Sequence, residues 1–165
     1  MHRMYFDGLS FLEDEREAWR PFEALDGLSD EALSAPIEAA HGWSGRDLIG
    51  HLVAWQEVAL SVAKELAVSE TSAAKARSDA DWDARGDAIN DDLLETWRAM
   101  PLSDVRARLR SVPGELRGYL TVVPETRWIK HADNQAFLAS ETIEHYEEHL
   151  SDLRAILAAA GAAGS

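Results

Sequence analysis

Apolar and polar positions along this chain recur with a helical period, and four blocks carry the pattern. In the first, Phe11, Leu12, Trp19, Phe22 and Leu25 predict a helix over roughly Ser10–Leu25, with a kink or early stop at Pro21. The stretch from Gly27 to Glu31 reads as a turn and one short helical turn capped by Ser29, closed by Pro36. The second block opens at Ser44, an N-cap with Asp47 three residues on, a relaxed capping box with Asp in place of Glu. Its stripe of Leu48, Leu52, Trp55, Ala59, Val62 and Leu66 carries a helix to about Val68. Ser69–Asp81 is polar and rich in small residues, so it reads as a mobile connection long enough to serve as a lid. The third block, about Trp82–Val123, breaks at Met100-Pro101, restarts with Ser103 as N-cap and is disturbed at Pro113-Gly114, giving two or three collinear pieces. Pro124 ends it, and Trp128 is expected to pack in the crossing loop. The fourth helix runs from near Asp133 to about Ala160 and leaves 161–165 as a flexible tail.

Nothing reads as a sheet. The expectation is an all-α chain, one domain over 1–160, folded as an up-and-down or crossed four-helix bundle with a long connection between its second and third helices. Bundles of this kind build metal sites from inward-facing side chains of neighbouring helices.

Composition narrows the chemistry. The 165 residues contain no cysteine, which excludes disulfides, thiolate metal sites and a protein thiol nucleophile. Lys and Arg total 16 against 30 Asp and Glu, a formal charge of −14. Such a surface repels phosphate backbones and anionic membranes, so neither nucleic acid nor membrane is an expected partner. The most apolar stretch, Leu48 to Val68, is interrupted by His51, Gln56, Glu57, Lys64 and Glu65 and reads as a core helix rather than a span. No signal peptide is legible, and the expected location is the cytoplasm.

The candidate chemistry lies in histidines. His145 and His149 are four apart in the fourth helix and share a sector with Leu138, Thr142, Leu153 and Ile156, while Glu144, Glu147 and Glu148 fall largely outside it. His51 lies on the shoulder of the second helix's buried stripe. Three inward imidazoles form the ligand set of an open divalent-metal site, whereas the bland alternative is a set of core histidines bonded to carbonyls or carboxylates. Glu141, one turn before His145, is placed either to bond a ring N–H or to act as a general base; its alternative is an exposed helix glutamate. Asp47 is read as a cap rather than as an orienter of His51. His2, His41 and His131 read as terminus and loop positions. The site is expected to open at the bundle end formed by Trp43, the start of the second helix and the Ser69–Asp81 connection.

Two motifs carry a resemblance. The run from Trp43 to Trp55 is similar to the Trp-x-x-x-Asp-x-x-x-His-Leu-x-x-Trp signature of the DinB/YfiT-like superfamily, through Trp43, Asp47, His51, Leu52 and Trp55. Thr142 to His149 resembles its C-terminal His-x3-His helix in the form seen in ClbS/DfsB-type proteins. The N-terminal half, including Gly27–Glu31 and Ala35-Pro36, is more like the metal-binding domain of mycothiol-dependent maleylpyruvate isomerases. The resemblance implies a DinB-like four-helix bundle with His51, His145 and His149 holding zinc or nickel. It also implies a range of activities on small-molecule substrates: thiol S-transfer, thiol-dependent isomerisation and hydrolytic resistance. Those isomerases carry a second, C-terminal domain, whereas this chain ends at Ser165, so maleylpyruvate isomerisation itself is not expected.

Together these readings predict a metal-dependent enzyme of the low-molecular-weight-thiol S-transferase or hydrolase kind. Glu141 would be its catalytic proton acceptor, and any thiol would come from a small-molecule cofactor. The alternative is a non-catalytic bundle that binds or sequesters a metal or small molecule. Partners are a small-molecule substrate and at most a second copy of the chain.

Overall fold

The computed structural model describes residues 3–163, which contain helices and no strand. The first helix, α1 (Gly8–Trp19), begins two residues earlier than the apolar pattern suggests, because Asp7 caps it: its Oδ1 accepts the Ser10 backbone N–H at 2.7 Å. Pro21 tightens the chain into a 3-10 segment over Arg20–Gly27. A short α2 (Asp30–Ser34) follows, capped by Ser29 as expected.

The hub of the molecule is α3 (Gly45–Val68), whose bounds agree with the sequence reading. Its capping box is complete: Ser44 Oγ accepts from the Asp47 N–H and Asp47 Oδ2 accepts from the Ser44 N–H. Asp47 also receives Arg98 through two bonds of 2.9 and 3.0 Å. Every residue of the predicted stripe is buried, and α3 packs against α2 and five of the later helices.

The segment from Ser69 to Asp81 corrects the expectation of a mobile connection. Most of it is α4 (Ala73–Arg85), a helix packed on α3. The cause is capping and crosslinking rather than apolar content. Ser72 Oγ accepts from the Lys75 N–H, and Glu65, one helix back, accepts from the N–H groups of Ala73 and Ala74. Lys75 then bridges Asp79 and Asp133, at 2.8 Å each. The helix ends at Gly86, whose φ of +53° is open to glycine at little cost.

Next come α5 (Ala88–Ala99) and α6 (Leu102–Val122), broken at Met100-Pro101 as predicted. Two details differ. Pro101 stands at the N-cap of α6 in place of Ser103, and Pro113 leaves the helix continuous. The proline removes one N–H, but Leu109, Val112, Leu116 and Leu120 around it are all buried, and that packing holds the rod together. Arg46 closes the end of α5 by donating to the carbonyls of Trp97 and Met100. Gly50 of α3 permits this approach, since a Cβ there would lie 2.8 Å from Cβ of Trp97.

The fourth predicted helix is three pieces: α7 (Ala132–Glu141), α8 (Ile143–Glu148) and α9 (Leu150–Ala163). Thr142 breaks it with φ −123° and ψ −99°, its hydroxyl donating back to the Leu138 carbonyl, and His149 breaks it again with φ −107° and ψ 10°. Trp128 is buried between α6 and α7, as expected. Helix α1 packs against both α6 and α8, joined there by a buried polar link: Glu15 accepts from Arg117 and from the Tyr146 hydroxyl, which in turn accepts from Gln56. No described helix is long and apolar enough to cross a membrane.

Candidate metal centre

Three elements aim three rings at one point. His51 lies in the second turn of α3, where the capping box fixes the helix start, and is 8% exposed. His145 lies in α8 and His149 at the bend between α8 and α9. The ring centroids are 4.6, 4.7 and 5.1 Å apart, and the rings stand edge-on to one another at 68–78°. Nε2 of His51 and Nε2 of His145 are 2.8 Å apart. One nitrogen from each of the three residues lies within 4.8 Å of the others, the spacing of a ligand set.

Burial makes these rings good donors. It pushes the pKa of His51 down to about 4 and that of His145 down to about 3, so both are neutral near pH 7 and able to offer a ring nitrogen to a metal. Nε2 of His145 is the nitrogen that meets the cluster, and its Nδ1 is buried with no hydrogen-bond partner, as are Gln56 Oε1 and Trp128 Nε1. The donor type and the convergence fit a divalent ion.

Two surrounding groups hold the rings in place. Asp152, itself buried, lies 3.0 Å through Oδ2 from His149 Nδ1, which leaves Nε2 of that ring free to face the cluster. Its other oxygen lies 3.0 Å from Nδ1 of His41. Trp43 stacks on His149 at 5.7 Å and tilts against His51 at 4.9 Å. It is folded over them by a tight turn in which His41 and Gly42 both take positive φ, 61° and 83°.

A cavity of about 930 Å³ opens over the rings, at the end where Trp43 lies, as the sequence led us to expect. One wall is α4 and the start of α5, through Trp82, Asp83, Asp87 and Asn90; the opposite wall is α7 and α8, through Phe137, Glu141 and Glu148. Glu141 shares the cavity with the three histidines but bonds none of them. Burial, with Asp79 and Glu148 nearby, pushes its carboxyl up to about 8. His41 is exposed and joins the site only through Asp152. His131 caps α7 by accepting from the Asn134 N–H, and His2 lies outside the described residues.

Residues 12–143 match the mycothiol maleylpyruvate isomerase N-terminal domain family. The chain belongs to that family. The matched span contains His51 and Glu141 and stops short of His145 and His149. No curated protein and no solved structure matches the chain.

Sequence reasoning missed Asp152 and the α4–α5 wall. Asp152 carried a signal, since a carboxylate three residues after a candidate ligand on one helix face can reach its ring. The wall carried little, because the apolar residues of α4 are alanines apart from Trp82, too small to reveal a period.

Proposed function

We propose that this chain is a divalent-metal-dependent enzyme of the low-molecular-weight-thiol S-transferase or hydrolase kind. The convergence of His51, His145 and His149 beneath an open cavity carries this reading. These three residues would hold the ion, and imidazole ligation suits zinc or nickel. The bound ion would supply positive charge that makes a thiol or water beside it easier to deprotonate. Asp152 would keep Nε2 of His149 turned inward, and Trp43 would screen the rings from bulk water. Glu141, with a carboxyl pushed up to about 8, is suited to exchanging a proton near neutral pH. The thiol would have to be small and external, since the chain has no cysteine, and the family's name points to mycothiol.

We also read the architecture as a DinB-like four-helix bundle made of α1, α3, α6 and the bent α7–α9 rod, with α4 and α5 inserted beside the site. The packing of α1 on α6 and α8, and of α3 on α6, α7 and α9, supports that grouping. We place the protein in the cytoplasm.

A second reading, a non-catalytic binding or sequestering bundle, is favoured by one observation: Glu141 forms no hydrogen bond to any of the three rings. Turnover assays separate the two. Zinc- or nickel-loaded protein is tested on thiol-acceptor and hydrolysable substrates, with and without mycothiol, against chelated protein. An S-transferase requires both metal and thiol, and a hydrolase requires metal alone. Tight metal binding with no turnover in either arm would replace the enzyme reading by the second one.

A further inference from the structure

The cavity over the histidines is unusual in its charge. Six carboxylates besides the neutral Glu141 line it: Asp79, Asp83, Asp87 and Asp91 from the α4–α5 side, Asp133 from α7 and Glu148 from α8. No lysine or arginine lines it. The chain has 16 such residues, and α6 alone carries Arg106, Arg108, Arg110 and Arg117, so the omission is local to the cavity rather than a result of overall acidity. Lys75 pairs with Asp79 and Asp133 from outside the lining, whereas Asp83, Asp87, Asp91 and Glu148 have no ion-pair partner among the described residues.

Aromatic surface accompanies this charge. Trp55 of α3 and Trp82 of α4 meet edge to face at 6.0 Å, and Trp82 remains 45% exposed. The N–H of Trp55 is already given to Asn90 Oδ1 at 2.8 Å, so what this indole has left to offer a ligand is its ring. Phe137 also lines the cavity, but its ring already carries Nζ of Lys75 at 5.5 Å, so the aromatic face left for a ligand is that of the tryptophans. Carboxylates set among aromatic faces are the chemistry that recognises organic cations.

We propose that this cavity receives a substrate with a cationic head, an amine or quaternary ammonium, held between the acidic walls and the Trp55–Trp82 pair. The inference rests on the functional reading above in one respect: it takes the space over the three histidines as the substrate's seat. Burial is the main cause that holds Glu141 protonated, and the charges of Asp79 and Glu148 add to it. The field of these walls disfavours anionic substrates, among them dicarboxylates such as the maleylpyruvate in the family's name.

The test is a pair of probes equal in shape and unlike in charge: choline and 3,3-dimethylbutan-1-ol. Neither carries an amine that ligates metal. Each is titrated at low ionic strength into zinc-loaded and into chelated protein, followed by tryptophan fluorescence and amide chemical shifts. Choline is expected to bind at least about tenfold more tightly than its neutral isostere. That ratio should fall towards one in an Asp83→Asn/Asp91→Asn double variant and in high salt. Equal affinities, or no saturable binding of choline, would overturn the proposal. Zinc content, measured on the same samples, keeps the two readings apart. A choline preference in protein that retains no zinc after loading sinks the proposed function alone, and bound zinc without a preference sinks this inference alone.

Discussion

Two polar clusters flank α8, and they solve the problem of buried polarity in opposite ways. On one side Tyr146 points to Glu15, whose two carboxylate oxygens are both taken, one by Arg117 at 2.5 Å and the other by the Tyr146 hydroxyl at 3.0 Å. On the other side its neighbour His145 points to His51 and His149 and leaves a buried nitrogen unpaired. The first cluster pairs its charges within the protein and ties α1, α6 and α8 together, with Gln56 Oε1 left as its unpaired buried oxygen. The second gathers three ring nitrogens beneath an open cavity. Charges paired inside the packing mark a structural crosslink, and converging nitrogens beside a cavity mark a place for a ligand.

The strongest way to break this contrast is to remove a ligand. His149→Ala should weaken zinc or nickel binding by more than the roughly 100-fold that loss of an orienting partner costs, yet leave the helical circular dichroism intact. Chelated wild type should stay helical too, because the fold rests on apolar burial by Leu48, Leu52, Leu138, Leu153 and Ile156. Loss of helical signal in either sample would show that the histidine cluster is structural.

The reverse result is expected on the other side of α8. Arg117→Ala leaves the fully buried Glu15 without its cation and should cost about 3–5 kcal/mol in denaturant unfolding, with metal affinity unchanged. A smaller effect belongs to Asp152→Asn, which keeps the shape but loses the charge on His149 Nδ1. Isothermal titration should then show metal bound about 10–100-fold more weakly. If affinity holds while thermal stability falls, Asp152 serves only the first turn of α9.

The smallest effect sharpens the role of Glu141. Its folded pKa of about 8 lies above the ordinary 4.5, so the stability it contributes is full below about 4.5 and is lost as pH rises through about 8. Glutamine cannot lose that proton. In metal-free protein, Glu141→Gln should therefore match wild type at acid pH and exceed it by at least about 1 kcal/mol above pH 8. Parallel melting curves across that range would show that Glu141 is solvated and ionised, and would remove it as a candidate proton carrier.

Legibility along the chain followed how local each cause was. Helix α3 could be read to its ends because its cap, Ser44 with Asp47, and its stripe lie within the helix itself. Helix α4 could not, because its first turn is capped in part by Glu65 of α3 and its side is held by Asp133 of α7. The bends at Thr142 and His149 were equally hidden. Both residues sit in a periodic stretch, and only packing shows that the rod turns there.

The sequence by itself determined the all-helical class, the bounds of α3 and the inward side of His51, His145 and His149, because period and capping act within a turn or two. Only the tertiary structure decided that these rings meet nitrogen to nitrogen across 94 residues, that Asp152 turns His149, and that an acidic, aromatic wall stands over them. Those relations depend on where separate helices cross, and crossing is settled by the mutual burial of many side chains, which no single stretch of the chain records.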